Sequence, residues 1–176
     1  MTKNLRVKSS EYIDETNRIS FKLNGRTYHG FKGDTLASAL LANDVHLVGR
    51  SFKYHRPRGI MTSGSEEPNA IVQVNPGTNR TEPNVRATEV EIYEGLEASS
   101  QNCWPSVEFD IGGINNFLSP FFPAGFYYKT FMWPASFWEK YEFFIRHSAG
   151  LGKSPTTTDP DTVSYTHLTL PTSNSV

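Results

Sequence analysis

Residues 50–70 read RSFKYHRPRGIMTSGSEEPNA. The run opens with basic and aromatic side chains, crosses a Pro57-Arg58-Gly59 turn, and ends in a small acidic loop, TSGSEEPNA, at residues 62–70. A helical pattern precedes it and an apolar strand pattern follows it. A long loop held between two regular elements is where function usually sits. This one contains no cysteine, and that absence limits the chemistry open to it.

Upstream of the loop, Ile19-Ser-Phe-Lys-Leu23 alternates apolar and polar residues, the pattern of a half-buried strand. Asn24-Gly25 is a strong hairpin signal, because a type I′ turn needs positive φ at both central positions. Residues 26–30 form the return strand. Gly33-Asp34-Thr35 is a helix start, with Asp34 as the expected cap for free N–H groups. Leu36, Ala39, Leu40 and Asn43 mark one face of the helix, and the composition of residues 36–42 strongly favours helix. Asn43-Asp44 is the expected stop, and residues 45–48 are a short apolar run read as a strand. Downstream, residues 70–74 read as a buried strand ended by Asn75-Pro76-Gly77. Residues 76–86 read as loop. Residues 87–93 alternate again, with Val90 and Ile92 on one side. Hairpin, helix, long loop and two further strands predict an α+β domain, a β-grasp over residues 19–95 with the helix packed on a small mixed sheet.

The chain has 176 residues, room for one domain and an appendage. Hydrophobic content is 37%, low for a globular domain, so part of the chain is expected outside a good core. The net charge of −1 supplies no global field toward nucleic acid or membrane. Cys103 is the single cysteine, so an intramolecular disulfide and a cluster ligated by this chain's thiolates alone are both excluded. With no His near it in sequence, Cys103 reads as a small packed residue rather than a nucleophile. No apolar run approaches the ~20 residues of a membrane span. The polar start, MTKNLRVKSSEYIDETNR, has no apolar core of a secretory signal. These features favour the cytoplasm, and residues 1–18 read as a flexible N-terminal arm.

Residues 96–153 differ in character. They are dense in Phe, Tyr and Trp and broken by Pro105, Pro120, Pro123 and Pro134. A clear helix is predicted from Pro134, placed at its first turn. Either the rings pack on the domain's own sheet or they form an interface arm that wraps another domain or subunit. The second reading is preferred, since aromatic anchors dominate interfaces. Residues 154–176 read as a disordered tail. Within it, VSYTHLTLPT at 163–172 resembles one reading frame of a sequencing adaptor, so the natural sequence is expected to stop near Asp161, and His167 is set aside as a ligand or base.

GDTLASALLAN at 33–43, VGRSFKYHRPRGI at 48–60 and GSEEPNA at 64–70 together resemble the alpha subunits of heterotetrameric sarcosine oxidases. GLEA at 95–98 and AGFYYKTFMWPA at 124–135 carry the same resemblance. It implies an N-terminal ferredoxin-like β-grasp domain, followed in the full subunit by dinucleotide-binding and folate-binding domains. The activity it implies is oxidative demethylation of sarcosine to glycine. Electrons pass between FAD and FMN, oxygen is reduced to peroxide, and the carbon leaves as formaldehyde or on tetrahydrofolate. FAD, FMN, NAD and tetrahydrofolate are therefore expected in the parent complex and none in this chain. The expected partners are the remaining domains of the alpha subunit and the other subunits.

Related amine and opine dehydrogenases carry a [2Fe–2S] cluster on this domain, with plant-type C-x4-C-x2-C spacing and a distant fourth Cys. Aligned by Gly59 and the Ile71-Val72 strand, the first three ligand positions fall on Thr62, Glu67 and Ala70, none of them the soft thiolate a cluster needs. The resemblance implies the same loss in the sarcosine oxidase subunits. No Gly-x-Gly-x-x-Gly follows a strand, so no dinucleotide site is expected here. His29, His46, His55 and His147 lack metal-ligand spacing. Glu66-Glu67 reads as solvated loop charge or a local cap rather than an acid–base pair. No catalytic or metal-binding residue is assigned. Arg50, Lys53, His55, Arg56 and Arg58, interleaved with Phe52 and Tyr54, admit three readings. They pair internally with Glu66, Glu67 and other acidic neighbours, they bind single-stranded nucleic acid, or some of them reach a flavin or dinucleotide phosphate. Nucleic acid is disfavoured by the net charge. Arg50, Lys53 and Arg58 are the candidate phosphate contacts in the assembled enzyme. Three functions thus compete: a cluster-free structural domain of an oxidoreductase subunit, a working iron–sulfur electron carrier, and an anion- or nucleic-acid-binding module.

Overall fold

Asn24 and Gly25 have φ of 52° and 77°, as the hairpin signal requires. They join β1 (Asp14–Leu23) to β2 (Arg26–Lys32) in an antiparallel pair, with Phe21 opposite Tyr28. The computed structural model describes residues 5–7, 12–121, 135–148, 150 and 152–155. The expected adaptor-like run at 163–172 and Pro134 lie outside these residues, as do Phe122, Phe126, Tyr127, Tyr128, Phe131 and Trp133.

The helix α1 (Leu36–Ala42) buries Leu36, Ala39 and Leu40 of the predicted face and Ala37 beside them, whereas Asn43, also assigned to that face, is half-buried at the C-cap. Its cap is Thr35, whose hydroxyl accepts from the Ser38 N–H at 3.2 Å. Asp34, expected in that role, is instead fully buried. Both of its oxygens are taken by the Arg6 guanidinium, at 3.1 and 2.5 Å, with further bonds from the Phe31 N–H and the Ser38 hydroxyl. A carboxylate removed from water needs such a partner, and the sequence places that partner 28 residues upstream. The Leu5 N–H also donates to the Ala42 carbonyl. Residues expected as a polar arm through residue 18 therefore contribute a buried ion pair, and β1 begins at Asp14 rather than Ile19.

A two-stranded ribbon follows, β3 (Gly49–Arg50) against β4 (Pro57–Arg58). The run at 45–48 is not a strand; Val48 is buried in the core and leads into β3. β5 (Ile71–Val74) inserts Val72 and Val74 into the core, as predicted. Two assignments change after it. Residues expected as loop form β6 (Glu82–Arg86), an edge strand that tolerates Pro83 because one side of its ladder is unpaired. Residues 87–93 are not a ladder strand. They turn at 87–89 and clip onto the start of α1, where the Leu36 N–H donates to the Val90 carbonyl and the Ile92 N–H to the Asp34 carbonyl. Their alternation reflects Ile92 entering the core beneath that junction, not strand pairing.

β7 (Glu97–Ser100) runs parallel to β1 and antiparallel to β5, so the sheet order is β2-β1-β7-β5-β6. The strand assigned to the arm is thus the centre of the sheet, and the boundary expected at residue 95 falls just before it. The core gathers Phe21, Leu23, Leu40, Val72, Leu96 and Ala98 beneath the helix. This is the α+β β-grasp predicted from the sequence.

Beyond the sheet, Asp110 caps a 3₁₀ helix (Ile111–Asn116) that the sequence reading did not anticipate. A further 3₁₀ turn (Ala135–Phe137) leads into α2 (Trp138–Ser148), the helix expected after Pro134. Residues 152 and 153 lie beside the sheet edge, bonded to Asn84 and Gln73.

Candidate functional site

The loop at 60–70 closes on its own side chain. Glu67 is 1% exposed, whereas Glu66 beside it is exposed. One carboxylate oxygen of Glu67 accepts from the Met61 and Thr62 backbone N–H groups, both at 2.7 Å, and from the Thr62 hydroxyl at 3.3 Å. The other accepts from the Asn69 N–H at 2.8 Å and the Ala70 N–H at 3.2 Å. Among the described residues no cation pairs with it. Burial alone would push this carboxyl up; the four backbone N–H groups outweigh it and hold it below the ordinary glutamate range. Outside the loop, Arg86 Nε donates to the Glu67 carbonyl and the Thr88 hydroxyl to the Gly64 carbonyl, which tie it to the end of β6. Of the two readings given for the pair, solvated loop charge fits the exposed Glu66, whereas Glu67 acts as the local cap, and the chain turns around it.

Thr62, Glu67 and Ala70, the positions on which the resemblance places the first three cluster ligands, lie together in the fold. Their point of convergence is the Glu67 carboxylate itself. A [2Fe–2S] cluster does not fit these residues. A hydroxyl, a carboxylate already saturated by backbone donors and a methyl replace three soft ligands. Among the described residues no group of three His, Cys, Asp or Glu is arranged to hold a metal ion. Cys103 is a half-buried thiol whose ionisation is pushed up by burial and then by the Asp110 charge, so it is a poor nucleophile and a poor ligand.

The basic segment does not pair with Glu66 or Glu67. It grips residues 102–116 instead. The Arg50 guanidinium donates to the carbonyls of Val107 at 2.8 Å, Glu108 at 3.1 Å and His55 at 3.2 Å. His55 Nδ1 lies 2.6 Å from Asp110 Oδ2, and Arg56 Nε donates to Asn116 at 2.9 Å. Asn102 returns the contact, donating to the Ser51 carbonyl at 2.5 Å. A Cβ on Gly112 would come within 2.3 Å of the His55 ring, so this approach requires glycine there. Lys53 is exposed with its ammonium 5.0 Å from the Tyr54 ring centre. Arg58 borders a cleft of about 220 Å³ lined also by Arg50, Phe52, Asn69 and Gln101. The three candidate phosphate contacts are thus not equivalent. Arg50 is committed to carbonyls of the chain, Lys53 lies over the Tyr54 ring, and Arg58 is a half-buried wall residue of the cleft.

Sequence reasoning missed Asp110, Asn102 and the role of Glu67. For Glu67 a signal existed: it is a carboxylate, an anion, at a position where the resemblance implies a thiolate ligand.

Residues 16–103 match the family described as the 2Fe-2S iron–sulfur cluster binding domain. The sarcosine oxidase subunit alpha of Rhizobium meliloti is 62% identical over 161 residues, which is 90% of this chain and 16% of that one. A sarcosine oxidase subunit alpha from a Corynebacterium species is 37% identical over 89 residues, covering 49% of this chain and 9% of its own. The chain therefore spans less than a fifth of the length of these curated relatives. An L-proline dehydrogenase structure from P. horikoshii is similar at 22% identity over 48% of the chain with a TM-score of 0.39, too slight a likeness to carry an argument.

Proposed function

Because the chain belongs to the 2Fe-2S iron–sulfur cluster binding domain family, we propose that it serves as a cluster-free member of that family, the structural N-terminal domain of a sarcosine oxidase alpha subunit. The observation that carries this reading is the loop at 60–70, which lies within the span matched by the cluster-binding family and closes around a carboxylate instead of presenting thiolates. The 62% identity to a sarcosine oxidase subunit alpha supports the assignment to that parent. The parent reaction would be oxidative demethylation of sarcosine to glycine with peroxide formation, using FAD, FMN, NAD and tetrahydrofolate held outside this chain, in the cytoplasm. The domain's part in it would be to brace other domains and subunits, with electrons bypassing it.

Two surfaces serve that role. The first is the apolar face of residues 104–118, fixed to the domain by Arg50, His55 and Arg56. The second is the cleft beside Arg58, whose guanidinium is the candidate best placed to meet a flavin or dinucleotide phosphate presented by a neighbouring domain. Arg50 would act there by holding the cleft wall, and Lys53 by adding exposed positive charge.

Co-expression tests the proposal. The chain would be produced with the Rhizobium meliloti alpha subunit trimmed of the matching segment, together with the other subunits of that enzyme. The expected result is co-purification, sarcosine-dependent peroxide formation, and no iron or acid-labile sulfide attributable to the chain. A chain that elutes alone, or that carries stoichiometric iron, overturns the assignment.

A further inference from the structure

A ferredoxin loop is ordinarily organised by the cluster it wraps. The negative cluster attracts backbone N–H groups, and they in turn shape the loop. In this chain the donors are still present and still converge. The N–H groups of Met61, Thr62, Asn69 and Ala70 all point at one small volume, all within 3.2 Å of a carboxylate oxygen. That volume is closed to solvent, since Glu67 is nine-tenths or more buried and Ala70 is fully buried. Among the described residues no arginine or lysine neutralises the anion, so the backbone dipoles, joined by the Thr62 hydroxyl, stabilise it, as in other concave N–H nests.

We propose that residues 61–70 form an anion nest whose resident anion is the chain's own Glu67 carboxylate, standing where cluster-bearing relatives place their cluster. The nest recognises a small, planar, singly charged oxyanion: two oxygens, each taking two backbone donors. The loop thus keeps its conformation without metal because the organising charge has become covalent. Removing the side chain empties the nest without removing any donor, and a free carboxylate of matching size then binds in its place. This inference concerns the loop alone and stands whether or not the parent enzyme is a sarcosine oxidase.

The test uses the full chain at neutral pH and three proteins: the wild type, Glu67→Gln and Glu67→Gly. Thermal melts are recorded with sodium formate or with sodium chloride at matched ionic strength. Glu67→Gln keeps the size of the side chain but sets an amide NH2 against backbone N–H donors. It is expected to melt at least about 5 °C below wild type. Glu67→Gly is expected to fall further and to recover in formate by several degrees more than in chloride, while the wild type shows no such difference. If Glu67→Gly is unfolded in buffer, folding regained in formate and not in chloride is the same result. A Glu67→Gln protein as stable as wild type overturns the proposal, because the loop then does not depend on the charge. So does a Glu67→Gly protein on which formate and chloride act alike, because the emptied nest then has no affinity for a carboxylate.

Discussion

Glu67 and Asp34 are both buried carboxylates, and the chain satisfies them by different means. Asp34 has a cation, Arg6, and Glu67 has four backbone N–H groups and the Thr62 hydroxyl, with no cation among the described residues. The second arrangement has a consequence for pH. In the folded protein the Glu67 carboxyl is held below its ordinary value, against burial, by the N–H groups of Thr62, Asn69, Met61 and Ala70. In the unfolded chain it titrates at about 4.3. A lowered folded value means that the ionised form stabilises the fold. That contribution is complete above the unfolded value and is lost as pH falls through the folded one. The difference in melting temperature between wild type and Glu67→Gln, measured from about pH 7 down to about pH 3, should therefore narrow once the pH falls below the unfolded value of about 4.3. A difference in melting temperature that stays constant down to pH 3 would contradict this assignment of charge.

At the scale of elements, α1 is short, seven residues, and cannot persist without its packed face. Leu40 is fully buried between the helix and the sheet. Leu40→Asp removes a contact worth about 2–5 kcal/mol on truncation alone and puts an unpaired charge into the core at further cost. Against a typical total stability of about 5–15 kcal/mol, the variant should be unfolded or molten at 25 °C, as read by loss of the near-ultraviolet circular dichroism signal; retention of that signal would refute the packing. β7 is held in another way. Its sequence, EASS, has one apolar residue, yet it lies between β1 and β5 and is secured by bonds on both edges. The segment after it is secured by side chains rather than by a ladder, through Arg50, Asn102 and the His55–Asp110 pair.

On the scale of the whole molecule, the clamp holds residues 104–118 against the domain while leaving their apolar side chains outward. Trp104 is 69% exposed, Phe109 70% and Phe117 82%, with Ile111, Ile114 and Leu118 also exposed. On α2, Phe137 just before it, Trp138 and Phe143 add to the apolar exposure. Soluble monomers rarely present such continuous patches unless a partner covers them. Among the described residues of this segment the exposed rings do not pack on the domain's own sheet, the alternative reading, and their covering by a partner is proposed. The isolated chain should therefore bind a hydrophobic dye such as ANS and self-associate in analytical ultracentrifugation. Both effects should drop when it is cut after Cys103, a position that leaves β7 intact. A monodisperse, dye-negative full chain would show that these rings need no partner.

The sequence alone determined those features that depend on neighbours along the chain. The Asn24-Gly25 turn follows from the φ values these residues tolerate, the buried face of α1 from the 3.6-residue repeat, Phe21 and Leu23 from strand alternation, and the strand at Val72 and Val74 from its short apolar run. The missing thiolates were equally legible, since ligand chemistry is a property of residue type. Tertiary structure decided what depends on partners far apart in the chain. Asp34 reads as a cap until Arg6 reaches it, residues 87–93 read as a strand until α1 takes their backbone bonds, and EASS carries no pattern that reveals a central strand. The basic residues of 50–58 admit several readings until the acceptors of Arg50, His55 and Arg56, which are the carbonyls of residues 107 and 108 and the side chains of Asp110 and Asn116, come into reach. Glu67 lies between these cases. Its type and position were on view, but four N–H groups aimed at one point exist only once the loop has closed, because a backbone donor acquires direction from the fold and not from the residue that carries it.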